Sequence, residues 1–119
     1  MNDNAFERRH DDRRYAMKFL DYEVIDSNGE IVGRGLARTL NVSENGLRLE
    51  TGQFLEPGSR LRITLGLDED LVQVVGRVMH AEPETDELAS AGVMFVEFSE
   101  EERRGYMRHY QALKRAVVE

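Results

Sequence analysis

The sequence predicts an all-β domain with one C-terminal helix: a small six-stranded antiparallel barrel plugged or flanked by that helix. Three observations predict it. Short apolar runs recur, several with a period of two; clusters of turn formers separate consecutive runs; and a helical period occurs once, after Phe98. With 119 residues, 40% of them hydrophobic and 33% charged, the chain fits one folded domain rather than a disordered or fibrous one.

Taken in order, residues 1–14 carry one aromatic residue and no apolar period, which predicts a flexible arm ahead of a folded unit spanning 15–119. Phe19, Leu20, Tyr22, Val24 and Ile25 form a first strand, ended by the turn formers Asp26-Ser27-Asn28-Gly29. The return strand runs from Glu30 to about Leu40, with Gly33 and Gly35 marking a bend or a close backbone approach. A turn over Asn41–Gly46 follows, and then the alternating segment Leu47–Glu50. Beyond Pro57-Gly58, Arg60-Leu61-Arg62-Ile63-Thr64-Leu65 alternates polar with apolar, as a half-buried strand does. Leu71–His80 and Ala91–Phe98 complete the set, joined around Pro83–Glu87.

Ser99-Glu100-Glu101-Glu102 predicts a helix start, with Ser99 capping the first turn, Glu102 reaching back to it, and negative charge placed at the positive end of the helix. The helix is expected over about residues 99–117. Tyr106, Tyr110, Leu113 and Val117 give it one apolar stripe to lay against the sheet.

Composition then excludes whole classes of function. Without cysteine there is no disulfide, no thiolate metal site and no cysteine catalysis. No run approaches the roughly 20 apolar residues of a spanning helix, and Met1–Arg14 is polar where a secretory leader would be apolar. Membrane insertion and secretion are therefore not expected, and the cytoplasm is. A net charge of -7 opposes long-range attraction to nucleic acid or anionic lipid, so an anionic ligand has to be met by local charge. Such charge stands at Glu7–Arg14, where four arginines fall within seven residues.

Two motifs carry the functional reading. One is Arg9-x-x-x-Arg13, doubled by Arg8 and Arg14; the other is Asn41-x-Ser43-x-x-Gly46 between two strands. Singly, the first reads as a solvated tail and the second as a turn held by side-chain to backbone bonds. In this order, with Gly92-Val93-x-Phe95 near the last strand, they resemble the PilZ family over nearly the whole chain. That resemblance implies a six-stranded PilZ-like barrel that binds cyclic di-GMP, with Arg8, Arg9, Arg13, Arg14, Asn41, Ser43 and Gly46 at the ligand. It implies no enzymatic activity and no further cofactor.

The chemistry agrees. Arginine's planar fork pairs with phosphate oxygens or with guanine O6 and N7. The Asn41 oxygen and the Ser43 hydroxyl can accept from guanine N1 and N2. Gly46 leaves room for a positive φ or for a base to approach the backbone. An arginine at position 8, just before the first motif arginine, tends in PilZ proteins to accompany a stacked dimer. Two cyclic di-GMP molecules per chain are therefore expected, their phosphates offset by Arg8 and Arg14 as well as Arg9 and Arg13. The output would pass to an unidentified downstream protein. Alternatives are an adaptor of the same fold that binds no nucleotide, a nucleic-acid binder opposed by the acidic charge, and a hydrolase lacking clustered metal ligands.

Other matches carry little. Asn41-Val42-Ser43 fits a glycosylation sequon without a secretory signal, and Ser43 has no GxSxG setting. His10-Asp11-Asp12 are adjacent rather than convergent, His80 and His109 fall on a predicted strand and helix, and Gly33-Arg34-Gly35 fails the dinucleotide fingerprint.

Overall fold

The structure, a computed structural model, describes residues 19–67 and 70–118. The arm with Arg8, Arg9, Arg13 and Arg14 lies outside the described residues. Six strands and a helix follow one another: β1 (Phe19–Ile25), β2 (Ile31–Val42), β3 (Gly46–Thr51), β4 (Arg60–Leu67), β5 (Asp70–Pro83), β6 (Ala89–Glu97) and α1 (Glu100–Val118). They close into an antiparallel barrel in the order β1-β2-β3-β6-β5-β4, so that no strand is left as an open edge. Consecutive strands are neighbours except where the chain leaves β3 for β4. That crossing places β3 beside β6, the pairing on which the cleft described below is built.

Period-two alternation fills the barrel. Leu61, Ile63 and Leu65 of β4 meet Leu20 and Tyr22 of β1, Leu49 of β3 and Val74 of β5 in one buried cluster. Each such side chain contributes about 1.5–3 kcal/mol on burial. The intervening β4 residues face outward, where Arg62 pairs with Glu23 at 3.0 Å and Arg60 with Glu97 at 3.1 Å. Exposed ion pairs of this kind are worth about 0.2–1 kcal/mol, so the core rather than the charge pattern fixes the register.

Several boundaries differ from the sequence expectation, β3 and β4 among them, which extend to Gly46–Thr51 and Arg60–Leu67. β2 continues through Asn41 and Val42, because these pair with Arg48 and Leu47 after an irregularity between Thr39 and Asn41. The turn proper is therefore shorter, and Asn41 stands on a strand. β5 runs past His80 to Pro83, because a bulge between Val78 and His80 resets the ladder and lets Ala81, Glu82 and Pro83 pair with Ala91, Ser90 and Ala89. For the same reason β6 begins at Ala89.

At the start of α1 the Ser99 hydroxyl accepts from the Glu102 N–H at 3.1 Å, as expected of a cap. The Glu102 carboxylate does not return to Ser99. It accepts from the Gln73 N–H instead, joining α1 to β5. Tyr106 is fully buried in the core cluster and Tyr110 packs partly against it, whereas Leu113 and Val117 lie where side chains are not described.

Candidate ligand cleft

The Asn41–Gly46 segment is held from several sides. Gly46 accepts at its carbonyl from both the Ser43 N–H at 2.9 Å and the Ser43 hydroxyl at 3.1 Å. The hydroxyl proton is thus committed, and the oxygen's lone pairs are what remain to offer. The Asn41 Oδ1 accepts from the neighbouring Val42 N–H at 2.9 Å, which fixes the side chain and leaves a second lone pair. Gly46 does not take a positive φ; among the glycines of the described residues Gly29 and Gly58 do. Glycine is required there because any Cβ would run into the Val93 carbonyl oxygen of β6. Phe95 N–H donates to the Asn45 carbonyl at 2.8 Å, closing the turn onto β6.

From the helix side, the Tyr106 hydroxyl donates to the Ser43 carbonyl at 2.6 Å. Burial, reinforced by Tyr110, pushes Tyr106 above the usual tyrosine range, so it stays protonated and remains a donor. One turn earlier Arg103 lies over the Phe98 ring, 5.7 Å from its centroid, and reaches Asn45 Oδ1 at 3.5 Å. Phe95 meets Phe98 and Tyr106 edge-on at 5.2 Å, so an aromatic cluster stands beneath the turn.

Beside this turn opens a cleft of about 320 Å³ lined by β2, β3, β5 and β6. Its floor is one rank of paired residues across four strands: Asn41 opposite Arg48, Arg48 opposite Gly92, Gly92 opposite His80. The absence of a side chain at Gly92 lets the His80 imidazole lie over it, since a Cβ there would fall 2.6 Å from Nε2 of His80. The Arg48 guanidinium donates through Nη2 to Ser90 Oγ at 3.2 Å, and the Ser90 hydroxyl donates to Glu84 at 2.8 Å. Among the described residues Arg48 forms no ion pair. Met79 and Met94, both about half exposed, form an apolar wall. No carboxylate is among the described residues lining the cleft, in a chain of net charge -7.

Asn41, Ser43 and Gly46, named from the sequence, are thus brought together on one cleft. Arg48, His80, Met79 and Met94 were missed. Arg48 had a legible signal, since it lies two residues past Gly46 on the outward face of an alternating strand. His80 had none, because its approach to Gly92 depends on the bulge in β5. Among the described residues no group of His, Asp or Glu is placed to hold a metal ion, and no helix is long and apolar enough to cross a membrane.

A closed six-stranded antiparallel barrel with one C-terminal helix, its cleft set over the β3–β6 pairing, defines the class as a small antiparallel β-barrel domain. The chain matches the PilZ domain model over residues 7–112 and belongs to that family. It resembles the PilZ domain with c-di-GMP of YcgR from Escherichia coli, with a TM-score of 0.59 at 12% identity over 83% of this chain and 84% of that one. It also resembles MrkH of K. pneumonia, with a TM-score of 0.58 at 18% identity over 89% of this chain. A second MrkH structure, described as a c-di-GMP-dependent transcription regulatory factor, gives a TM-score of 0.57 at 18% identity over 85% of this chain. The chain spans 46–49% of the length of MrkH in these structures. No curated protein matches it at a significant level.

Proposed function

We propose that this chain is a cytoplasmic bacterial receptor for cyclic di-GMP that performs no catalysis and passes the signal to a partner protein. The observation that carries this reading is the pair of open acceptors, Asn41 Oδ1 and Ser43 Oγ, on a cleft that holds Arg48 and no described carboxylate. Guanine's N1 and N2 donors need such acceptors, and the phosphates of the dinucleotide need a site without negative charge. Membership of the family and the c-di-GMP in the YcgR and MrkH descriptions support the same ligand.

In this reading Arg9 and Arg13 close over the ligand and pair with phosphate or with guanine O6 and N7, while Asn41, Ser43 and Gly46 form the guanine side. Arg8 and Arg14 add charge for a second, stacked molecule. Ordering of residues 1–14 over the ligand then changes the surface offered to the partner. Calorimetric titration with counted equivalents tests the reading, and two molecules per chain are expected. Arg9→Ala or Arg13→Ala should weaken binding strongly, since charge-assisted hydrogen bonds are worth about 1.5–3 kcal/mol each. Arg8→Leu should lower the stoichiometry towards one. No heat with the wild-type chain would leave a nucleotide-independent adaptor.

A further inference from the structure

We propose that Arg48 is the residue with which the cleft tells guanine from adenine, by donating to guanine O6. This rests on the reading of Asn41 and Ser43 as the guanine acceptors, and it assigns the position beside them. Along guanine's edge the groups run N2–H, N1–H and then O6: two donors followed by an acceptor. The protein presents complementary groups on adjacent strands of one cleft. Asn41 and Ser43 offer acceptors, and Arg48, the direct cross-strand partner of Asn41, offers donors. Side chains so paired stand about 4.5–5.5 Å apart at Cβ, within the width of one base edge.

Two features suit Arg48 to reading a base rather than serving as a surface cation. Its guanidinium is tethered through one nitrogen to Ser90, a hydroxyl only 2% exposed, which is itself held by Glu84. Among the described residues no carboxylate pairs with it, and its bond to Ser90 uses Nη2 alone. Adenine carries an amino donor in place of O6 and an acceptor in place of N1–H, so it would set donor against donor at Arg48 and acceptor against acceptor at Asn41.

The test is titration of the wild-type chain, Arg48→Met and Arg48→Lys with cyclic di-GMP and cyclic di-AMP, each variant first checked for an unchanged thermal transition. Arg48→Met should bind cyclic di-GMP about tenfold or more weakly. It should bind cyclic di-AMP no more weakly than wild type, narrowing the preference by at least the same factor. Arg48→Lys, which keeps the charge and loses the fork, should restore only part of it. Ser90→Ala, which frees the guanidinium, should shift the preference in the same direction by less. Equal weakening towards both nucleotides, or full rescue by lysine, would make Arg48 a phosphate cation and overturn the assignment. Unchanged cyclic di-GMP binding by Arg48→Met would overturn it as well, while leaving the receptor reading intact. Failure of the wild-type chain to bind cyclic di-GMP would instead overturn that reading and this one together.

Discussion

Two turns of this barrel use the same kinds of residue and end as different objects. Asp26-Ser27-Asn28-Gly29 joins β1 to β2, and Asn41–Gly46 spans the end of β2, the turn and the start of β3; each segment starts with an Asx residue and ends on glycine. In the first, Asp26 Oδ1 accepts from the N–H groups of Asn28 and Glu30, both at 2.9 Å, so that oxygen is committed within the turn. Gly29 sits at a φ of 83° with nothing within 4 Å of where a Cβ would be. In the second, glycine serves an approach to β6, Tyr106 and Arg103 hold the turn from outside, and two acceptors stay open on a cleft. A turn becomes a site when neighbouring elements do the holding and its own side chains are left free.

The glycines should separate the two turns most widely. Gly46→Ala forces the Val93 carbonyl aside and should cost about 3 kcal/mol, as overpacking does. At about 4–8 °C per kcal/mol, a thermal melt should read this as a loss of more than 10 °C, together with loss of ligand binding. Gly29→Ala meets only the left-handed backbone penalty of about 1 kcal/mol and should leave binding intact. Equal melting temperatures for the two variants would remove the distinction.

Tyr106→Phe comes next, because it leaves the Ser43 carbonyl without its buried donor, at about 1–2 kcal/mol. The effect has a pH signature. With the folded-state pKa raised, the stability contributed by the neutral hydroxyl is complete below the ordinary tyrosine value of about 10 and declines as pH rises above it. Denaturant titrations at pH 8 and above 10 should therefore show the gap between wild type and Tyr106→Phe shrinking in the alkaline range; a constant gap would contradict the buried neutral donor.

Smallest are the polar truncations. Asn41→Ala and Ser43→Ala should each weaken cyclic di-GMP binding by about 0.5–1.5 kcal/mol. Asp26→Ala should lower stability by about 1 kcal/mol through its lost turn bonds, with the ligand titration unchanged. Binding that fell equally in all three would mean the site extends to the β1–β2 turn or lies elsewhere.

The barrel was legible because alternation is local. β1 was read at its true bounds from five apolar residues, and β4 from six alternating ones to within two residues of its end, since the period that names a strand is also the one that fills the core. Where ladders slip, legibility ended. The bulge near Val78 depends on pairing with β6, and no window of β5 alone shows that His80 will lie over Gly92. Asn41, Ser43 and Gly46 were visible as a contiguous motif. Arg48 was visible only as one more outward arginine, because its closeness to Asn41 is a cross-strand register. Glu102 was misassigned because a capping box and a bond to another strand's N–H call for the same residue, and the partner Gln73 is distant in sequence.

The most direct test is amide chemical-shift mapping of the chain as cyclic di-GMP is added. The account predicts shifts concentrated at Ser43, Gly46, Arg48 and Gly92, with the amides of Asn28 and Glu30 unmoved. Saturating ligand that left the first group in place, or that moved the β1–β2 turn instead, would contradict it.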